Sequence, residues 1–328
     1  MTHDVIIIGA GAAGLMCAAK AGQRGRRVLL IDHAEAPGKK ILISGGGRCN
    51  FTNIGARADR FISKNPHFAK SALGRYSPQD FIDLVNAHGI AWHEKTLGQL
   101  FCDGSARQIV DMLLAECPET VTLKLGFGIS EVTHRDGAFH VRLGGQTYSA
   151  PSCVIACGGP SIPKMGATGF AYDLARQFGL KVVEPRPALV PLTLGGDDVL
   201  FRDLSGVAAP TIVRCGKTIF AEASLFTHRG LSGPAILQIS SYWRGGESIG
   251  IDFLPGEDGS ALLLAAKRAT PRATLRSTLT GPLPARLAEA LSERLETAGN
   301  LADTPDRHLS EAGRRLNDWR FSPNGTEG

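Results

Sequence analysis

The sequence predicts an α/β fold: a Rossmann-like, dinucleotide-binding domain with a small antiparallel meander, followed by a β-rich region and a helical region. Three observations predict it. An unbroken apolar run, Val5 to Ile8, turns directly into Gly9-x-Gly11-x-x-Gly14. Short strand-like segments separated by turn residues occupy 121–143, and Asp136-Gly137 is a hairpin signal. From Pro185 onward, prolines and short strands give way to helical periodicity over 256–320.

The run at 5–8 shows no polar alternation, which is how a parallel strand covered on both faces reads. In the turn, Gly9 makes the tight bend, Gly11 lets a pyrophosphate approach the backbone, and Gly14 lets the next helix pack closely on the strand. That helix aims its free N–H groups and positive dipole end at the phosphates. Ala18 is small where the helix crosses the sheet, Gly25 ends it, and 28–31 form a second strand. Asp32 closes that strand 18 residues past Gly14, about where a ribose-binding carboxylate belongs.

Composition bounds the function. The 328 residues suffice for a large core in two or three structural units. Hydrophobic residues at 43% and charged residues at 20% are ordinary for a soluble globular protein. The net charge is +5, but no long basic run interleaves with aromatics, and aromatic residues are only 6%. The expectation is a small-molecule substrate and no nucleic-acid partner. The apolar stretch 5–19 lacks a basic lead and is too short to span a bilayer, so no membrane association and a cytoplasmic location are expected. Seven cysteines in a chain without an export signal point to free thiols, and the absence of C-x-x-C and HExxH motifs argues against a metal. Oligomeric state is not readable.

Beyond Asp32, residues 33–40 read as a loop. They lead to Ser44-Gly45-Gly46-Gly47-Arg48-Cys49-Asn50, where three glycines open backbone N–H groups to a ligand and Arg and Asn add charge and hydrogen bonds. A helix opens at Ser77-Pro78 with Phe81, Leu84 and Val85 on its apolar side, and another spans 105–117 with Ile109, Met112 and Leu113 on one face. A buried strand over 153–157 ends in Gly158-Gly159, again suited to close ligand approach. Gly166-Ala167-Thr168-Gly169 then precedes a helix at 170–178, and no second GxGxxG follows. Later strands are expected at 189–194, 207–214, 217–225 and 248–253, and helices at 261–267, 284–298 and 309–319. Gly230-x-Ser232-Gly233 is not the GxSxG elbow of hydrolases.

Through these motifs the sequence resembles the BaiN/RdsA-type (YhiN-like) NAD(P)/FAD-dependent oxidoreductases. The stretches that carry the resemblance are Gly9–Gly14 with Asp32, the run 38–53 around Ser44–Asn50, and 98–102. Cys157-Gly158-Gly159-Pro160, 166–169 and 226–234 match as well, so the likeness covers nearly the whole chain. The resemblance implies an FAD-binding Rossmann-like domain (1–187), an inserted β-rich subdomain (188–255) and a helical subdomain (256–320). It also implies a C-terminal return under the flavin. Here that return would begin at 321–328, so the C-terminal flavin-binding segment is expected to be missing.

Carried over residue by residue, the resemblance implies that Gly9, Gly11, Ala12, Ala13, Gly14 and Asp32 hold the ADP half of FAD, with His33, Lys39 and Lys40 beside it. Ser44, Gly45, Gly46, Gly47, Arg48, Cys49 and Asn50 would lie along the pyrophosphate, ribityl chain or flavin ring. Phe127, Gly128 and Ile129 would meet the adenine, and Ala156, Cys157, Gly158 and Gly159 would close over the cofactor. NAD(P)H is expected as a transient co-substrate. Arg48 would stabilise negative charge, Asn50 would hydrogen-bond the ring edge, and His228 would serve as acid or base. Cys49 stands alone in the sequence, which disfavours dithiol chemistry. The leading expectation is an FAD-dependent oxidoreductase acting on a small organic substrate. A nucleotide-binding remnant without redox activity and an RNA-modifying flavoprotein stay open as alternatives.

Overall fold

A computed structural model describes residues 3–295, 297 and 299–328. The chain divides into two compact units, Met1–Val183 and Glu184–Gly328.

The first unit is built on β1 (Val5–Ile8), β2 (Val28–Ile31), β6 (Val121–Lys124) and β10 (Ser152–Ile155), all parallel in the order β10-β1-β2-β6. The lack of alternation in β1 and β2 has a direct cause. Ile7 and Leu30 pack with Leu15 and Ala18 of the helix Ala12–Gln23 and with Ile109, Met112 and Leu113 of the helix Arg107–Ala115. Ile6, Ile8, Leu29 and Ile31 face the other way, against Val132, Val141 and Leu143 of a three-stranded antiparallel meander. The sheet is thus sandwiched, and every side chain of both strands is apolar because each face has a partner.

The meander is β7 (Ile129–Arg135), β8 (Ala138–Leu143) and β9 (Gln146–Ala150). Asp136 and Gly137 both take positive φ (51° and 72°), as the two-residue hairpin between β7 and β8 requires. The strand at 121–125, expected among these strands, instead joins the parallel sheet beside β2. Its apolar residues Val121 and Leu123 pack in the helix-side core, and short-range pattern cannot distinguish that placement from a hairpin arm. A second small sheet, β3-β5-β4, comprises β3 (Asn50–Asn53), β4 (Trp92–Glu94) and β5 (Gln99–Cys102).

Among the described residues, the second unit is a seven-stranded sheet with four α-helices from the expected helical region. Its strands are β11 (Leu192–Leu194), β12 (Ala208–Cys215), β13 (Thr218–Phe226), β14 (Gly230–Ser232), β15 (Ile249–Asp252), β16 (Trp319–Phe321) and β17 (Pro323–Thr326). The segments 188–255 and 256–320 share one core. Leu287, Leu291, Leu309 and Leu316, at helical spacing, bury against Phe201, Phe226, Phe253 and Phe321. Residues 321–328, expected to begin a return towards the first domain, lie in this sheet: Phe321 pairs with Ile249, and β17 pairs with β11. The expected fold class is the one observed, an α/β Rossmann-like domain of the FAD-binding kind with a meander, plus β-rich and helical regions. No helix among the described residues is long and apolar enough to cross a membrane.

Candidate dinucleotide site

The parallel strands end together, and a cavity of about 500 Å³ opens at their carboxyl ends. That volume is within the range of small-molecule and cofactor sites, roughly 300–1,000 Å³. Its floor is the Gly9–Ala13 turn, with Asp32 and His33 on one side and Ala156–Gly158 on the other. Lys39 and Lys40, Phe127–Ile129 and Met165–Thr168 complete the wall.

The turn is held from several directions. The Gly9 N–H donates to the Ile31 carbonyl at 2.7 Å, and the Ala156 N–H donates to that of Ile8 at 2.7 Å. The Asp32 carboxylate accepts from the Ala10 N–H at 2.6 Å through Oδ2 and from the Ala34 N–H at 2.8 Å through Oδ1. The Gly38 N–H donates to the Ala10 carbonyl at 2.8 Å, drawing the 33–38 loop over the turn. Asp32 therefore clamps the phosphate turn to the end of β2, in addition to facing the cavity.

The residues present fit a dinucleotide. The helix Ala12–Gln23 starts at Gly11 with no side-chain cap and no acidic residue in its first turn, so its leading N–H groups and dipole favour an anion. A methyl group on Gly11 would meet nothing within 4 Å, which leaves the approach to the backbone clear. Lys39 and Lys40 bring positive charge to the same wall. Phe127, half exposed, offers a ring face for a base.

Fourteen of the residues expected at the cofactor line this cavity: Gly9, Gly11, Ala12, Ala13, Asp32, His33, Lys39 and Lys40, together with Phe127–Ile129 and Ala156–Gly158. Gly14 lies beneath the floor, packed on the Gly9 backbone. Gly159 sits beside the Tyr172 hydroxyl, outside the lining. The Ser44–Asn50 stretch is also outside it. There Gly45, Gly46, Gly47 and Cys49 all take positive φ and turn the chain into β3. Ser44 Oγ donates to the Ile41 carbonyl, Arg48 is exposed, and Asn50 reaches Gln99 Oε1 at 3.4 Å. His228 is exposed on the turn between β13 and β14 in the second unit. Sequence reasoning left out Met165–Thr168 and Phe170, although Gly166 and Gly169 marked that segment. A methyl group on Gly166 would come 2.7 Å from His33 Nε2, so this turn packs directly on the cavity wall.

The lone Cys49 acquires a neighbour. Register places Cys102 at the end of β5 opposite the start of β3, with the Cys102 N–H donating to the Arg48 carbonyl. Both cysteines are buried free thiols. Burial, and then the proximity of Cys49, push the Cys102 thiol up to about 11. At pH 8 only about one part in a thousand is then thiolate. We expect iodoacetamide to leave Cys102 unmodified in the folded protein over times that fully alkylate it in urea, as read by peptide mass spectrometry. Equal rates in both states would refute the burial argument. Among the described residues, no group of three or more His, Cys, Asp or Glu is placed to hold a metal ion.

Residues 3–299 match the model of the HI0933-like protein Rossmann domain. The chain belongs to that family. It is 51% identical over 335 residues to the ribosomal RNA dihydrouridine synthase of Escherichia coli, covering 99% of this chain and 82% of that protein. It is 42% identical to the protein of the same name from Haemophilus influenzae, covering 98% of this chain and 82% of that one. The 3-dehydro-bile acid delta(4,6)-reductase of Clostridium scindens is 29% identical over 270 residues, covering 77% of this chain and 65% of that protein. The family read from the motifs is thus borne out. The expectation of no nucleic-acid partner is not: two relatives spanning nearly the whole chain are named for action on ribosomal RNA, and it is withdrawn. It relied on the absence of a contiguous basic run, whereas RNA-binding charge can be spread along a chain and between aromatics.

Proposed function

We propose that this chain is an FAD-dependent reductase that converts uridine to dihydrouridine in ribosomal RNA, drawing electrons from NAD(P)H. The observation that carries the reading is the 51% identity across 99% of the chain to a protein of that name, with the phosphate turn and its cavity intact here. The Clostridium scindens relative adds chemical consistency. Its name and dihydrouridine formation both describe saturating a carbon–carbon double bond conjugated to a carbonyl.

When bound, FAD would supply the hydride chemistry, with NAD(P)H as the proposed reductant. Reduction of uridine would add one hydride equivalent and one proton across the C5–C6 double bond, balanced by oxidation of NAD(P)H. The chain's own residues bind and orient. The uncapped amides of the Gly11–Ala13 turn would hold the pyrophosphate, Lys39 and Lys40 would balance its charge, and Phe127–Ile129 would receive the adenine. Arg48, exposed in the turn before β3, would offer positive charge to a uracil carbonyl oxygen that gains negative charge on reduction. Asn50 orients the same edge.

The test is a two-stage measurement. Purified protein should show a flavin spectrum that NADH or NADPH bleaches without oxygen. With an unmodified ribosomal RNA transcript it should then yield uridines heavier by two hydrogens on nucleoside mass spectrometry. A protein that stays colourless with added FAD ends the flavin reading. Bleaching without any dihydrouridine ends the RNA reading.

A further inference from the structure

Residues 54–75, which connect β3 to the helix that begins at Pro78, combine two unusual properties. They are almost entirely exposed, with only Ala69 buried, and they carry large apolar groups outward. Phe68 is 74% exposed, and Phe61, Ile62 and Ile54 are about half exposed. Leu97, at 64% exposure, belongs to the same surface because the Ile54 N–H donates to the Gly98 carbonyl. Several large apolar groups exposed within one short segment are the kind of surface that marks an interaction site.

Charge identifies the partner. The same segment holds Arg57, Arg60, Lys64, Lys70 and Arg75 against a single acid, Asp59. Asp59 pairs with Arg57. The other four cations have no carboxylate partner among the described residues. Cations and rings alternate along an irregular chain whose regular pieces are only the 3-10 turn Ala58–Arg60 and the short helix Lys70–Arg75. A membrane-surface helix would separate the two kinds of residue onto opposite faces. Interleaved cations and exposed rings instead suit phosphates and unstacked bases in alternation.

We propose that the 54–75 strap, with Leu97 beside it, grips an unpaired stretch of the RNA substrate. The proposal rests on the RNA reading above. It also gives that reading a means of substrate choice. Chemistry on a base requires the base out of its stack, and a surface that stacks Phe61 and Phe68 on bases selects RNA already open.

The experiment measures anisotropy of a fluorescein-labelled single-stranded RNA oligonucleotide, and of its duplex, on titration with the flavin-loaded full chain at several salt concentrations. The parent should prefer the single strand, with a log–log salt slope of about −3 for four cations at about 0.7 each. Arg60→Gln with Lys64→Gln should flatten that slope by about 1.4. Phe61→Ala with Phe68→Ala should weaken binding about 5-fold or more and leave the slope unchanged, since stacking releases no counterions. Melting temperature and flavin content should match the parent in all variants, because every substituted side chain is exposed.

Parent-like affinity and slope in both variants overturn the strap while leaving uridine reduction intact. Equal binding of duplex and single strand overturns the choice of unpaired RNA. Tighter binding to phosphatidylserine vesicles, or a dimer in sedimentation that Phe68→Ala dissolves, assigns the surface to another occupant and also overturns the proposal. If strap-dependent RNA binding persists but no uridine is ever reduced, the functional reading falls and the surface stands.

Discussion

Gly14→Ala is expected to yield a protein that no longer retains its cofactor and whose first unit is severely destabilised, whereas Gly11→Ala three residues earlier should fold normally. At Gly14 the added methyl carbon would be driven into the Gly9 carbonyl oxygen and would lie 2.9 Å from the carbonyl carbon. Neither atom belongs to a flexible side chain. Gly9 cannot move aside, because its own Cβ position is 2.6 Å from the Ala156 carbonyl and it already sits at φ 109°. Helix and strand must therefore separate, and the cost is about 3 kcal/mol or more. Gly11 has φ −83° and open space around its Cβ position, so alanine is tolerated sterically. That open space is where the pyrophosphate has to come close to the backbone. Gly11→Ala should keep the parent's melting temperature without cofactor and lose at least about ten-fold in FAD affinity by flavin titration. Parent-like FAD binding in Gly11→Ala would place the phosphates elsewhere.

The contrast between these glycines also explains what was legible in the sequence. The turn is a local device: strand, bend and helix lie within 20 residues, and each glycine answers a steric demand set by its near neighbours. The sandwiched sheet was readable for the same reason, since the unbroken run at 5–8 already requires covering layers on both faces. The Gly45-Gly46-Gly47 stretch carries a similar signature with a different local cause. Its positive φ angles turn the chain into β3, and a methyl on Gly45 would meet the Phe101 ring at 2.6 Å. Glycine content alone cannot distinguish a backbone opened to a ligand from one folded against a neighbouring strand. Placement of 121–124 beside β2, of 319–321 beside β15, and of Cys102 opposite Cys49 all depend on partners distant in sequence. No local period encodes those pairings. The proposed RNA-facing residues are scattered in the same way: the pair Arg60-Phe61, then Lys64, Phe68 and Lys70, are spaced apart by uncharged residues, and their common exposure emerges only in the folded chain.

Asp32→Ala should lower the melting temperature of the cofactor-free protein as well as weaken FAD binding, and the first effect separates two views of this residue. A carboxylate that serves only the ribose would contribute nothing until the nucleotide binds. Here the side chain is 16% exposed and holds two backbone N–H groups, those of Ala10 in the phosphate turn and Ala34 in the following loop. Removing it leaves both donors without an acceptor, at about 1–3 kcal/mol each, reduced where water can reach them. A total of about 2–4 kcal/mol in a unit of this size corresponds to a fall of about 5–10 °C. Asp32→Asn keeps the shape and one acceptor oxygen, so it should lose about half as much. It also loses the negative charge that faces the helix N-terminus across the turn. A cofactor-free Asp32→Ala protein that melts with the parent would reduce Asp32 to a ligand contact. The expected fall would instead make it the residue that shapes the phosphate turn before any phosphate arrives, so that weakened FAD binding in the variant follows from a loosened turn as much as from a lost ribose contact.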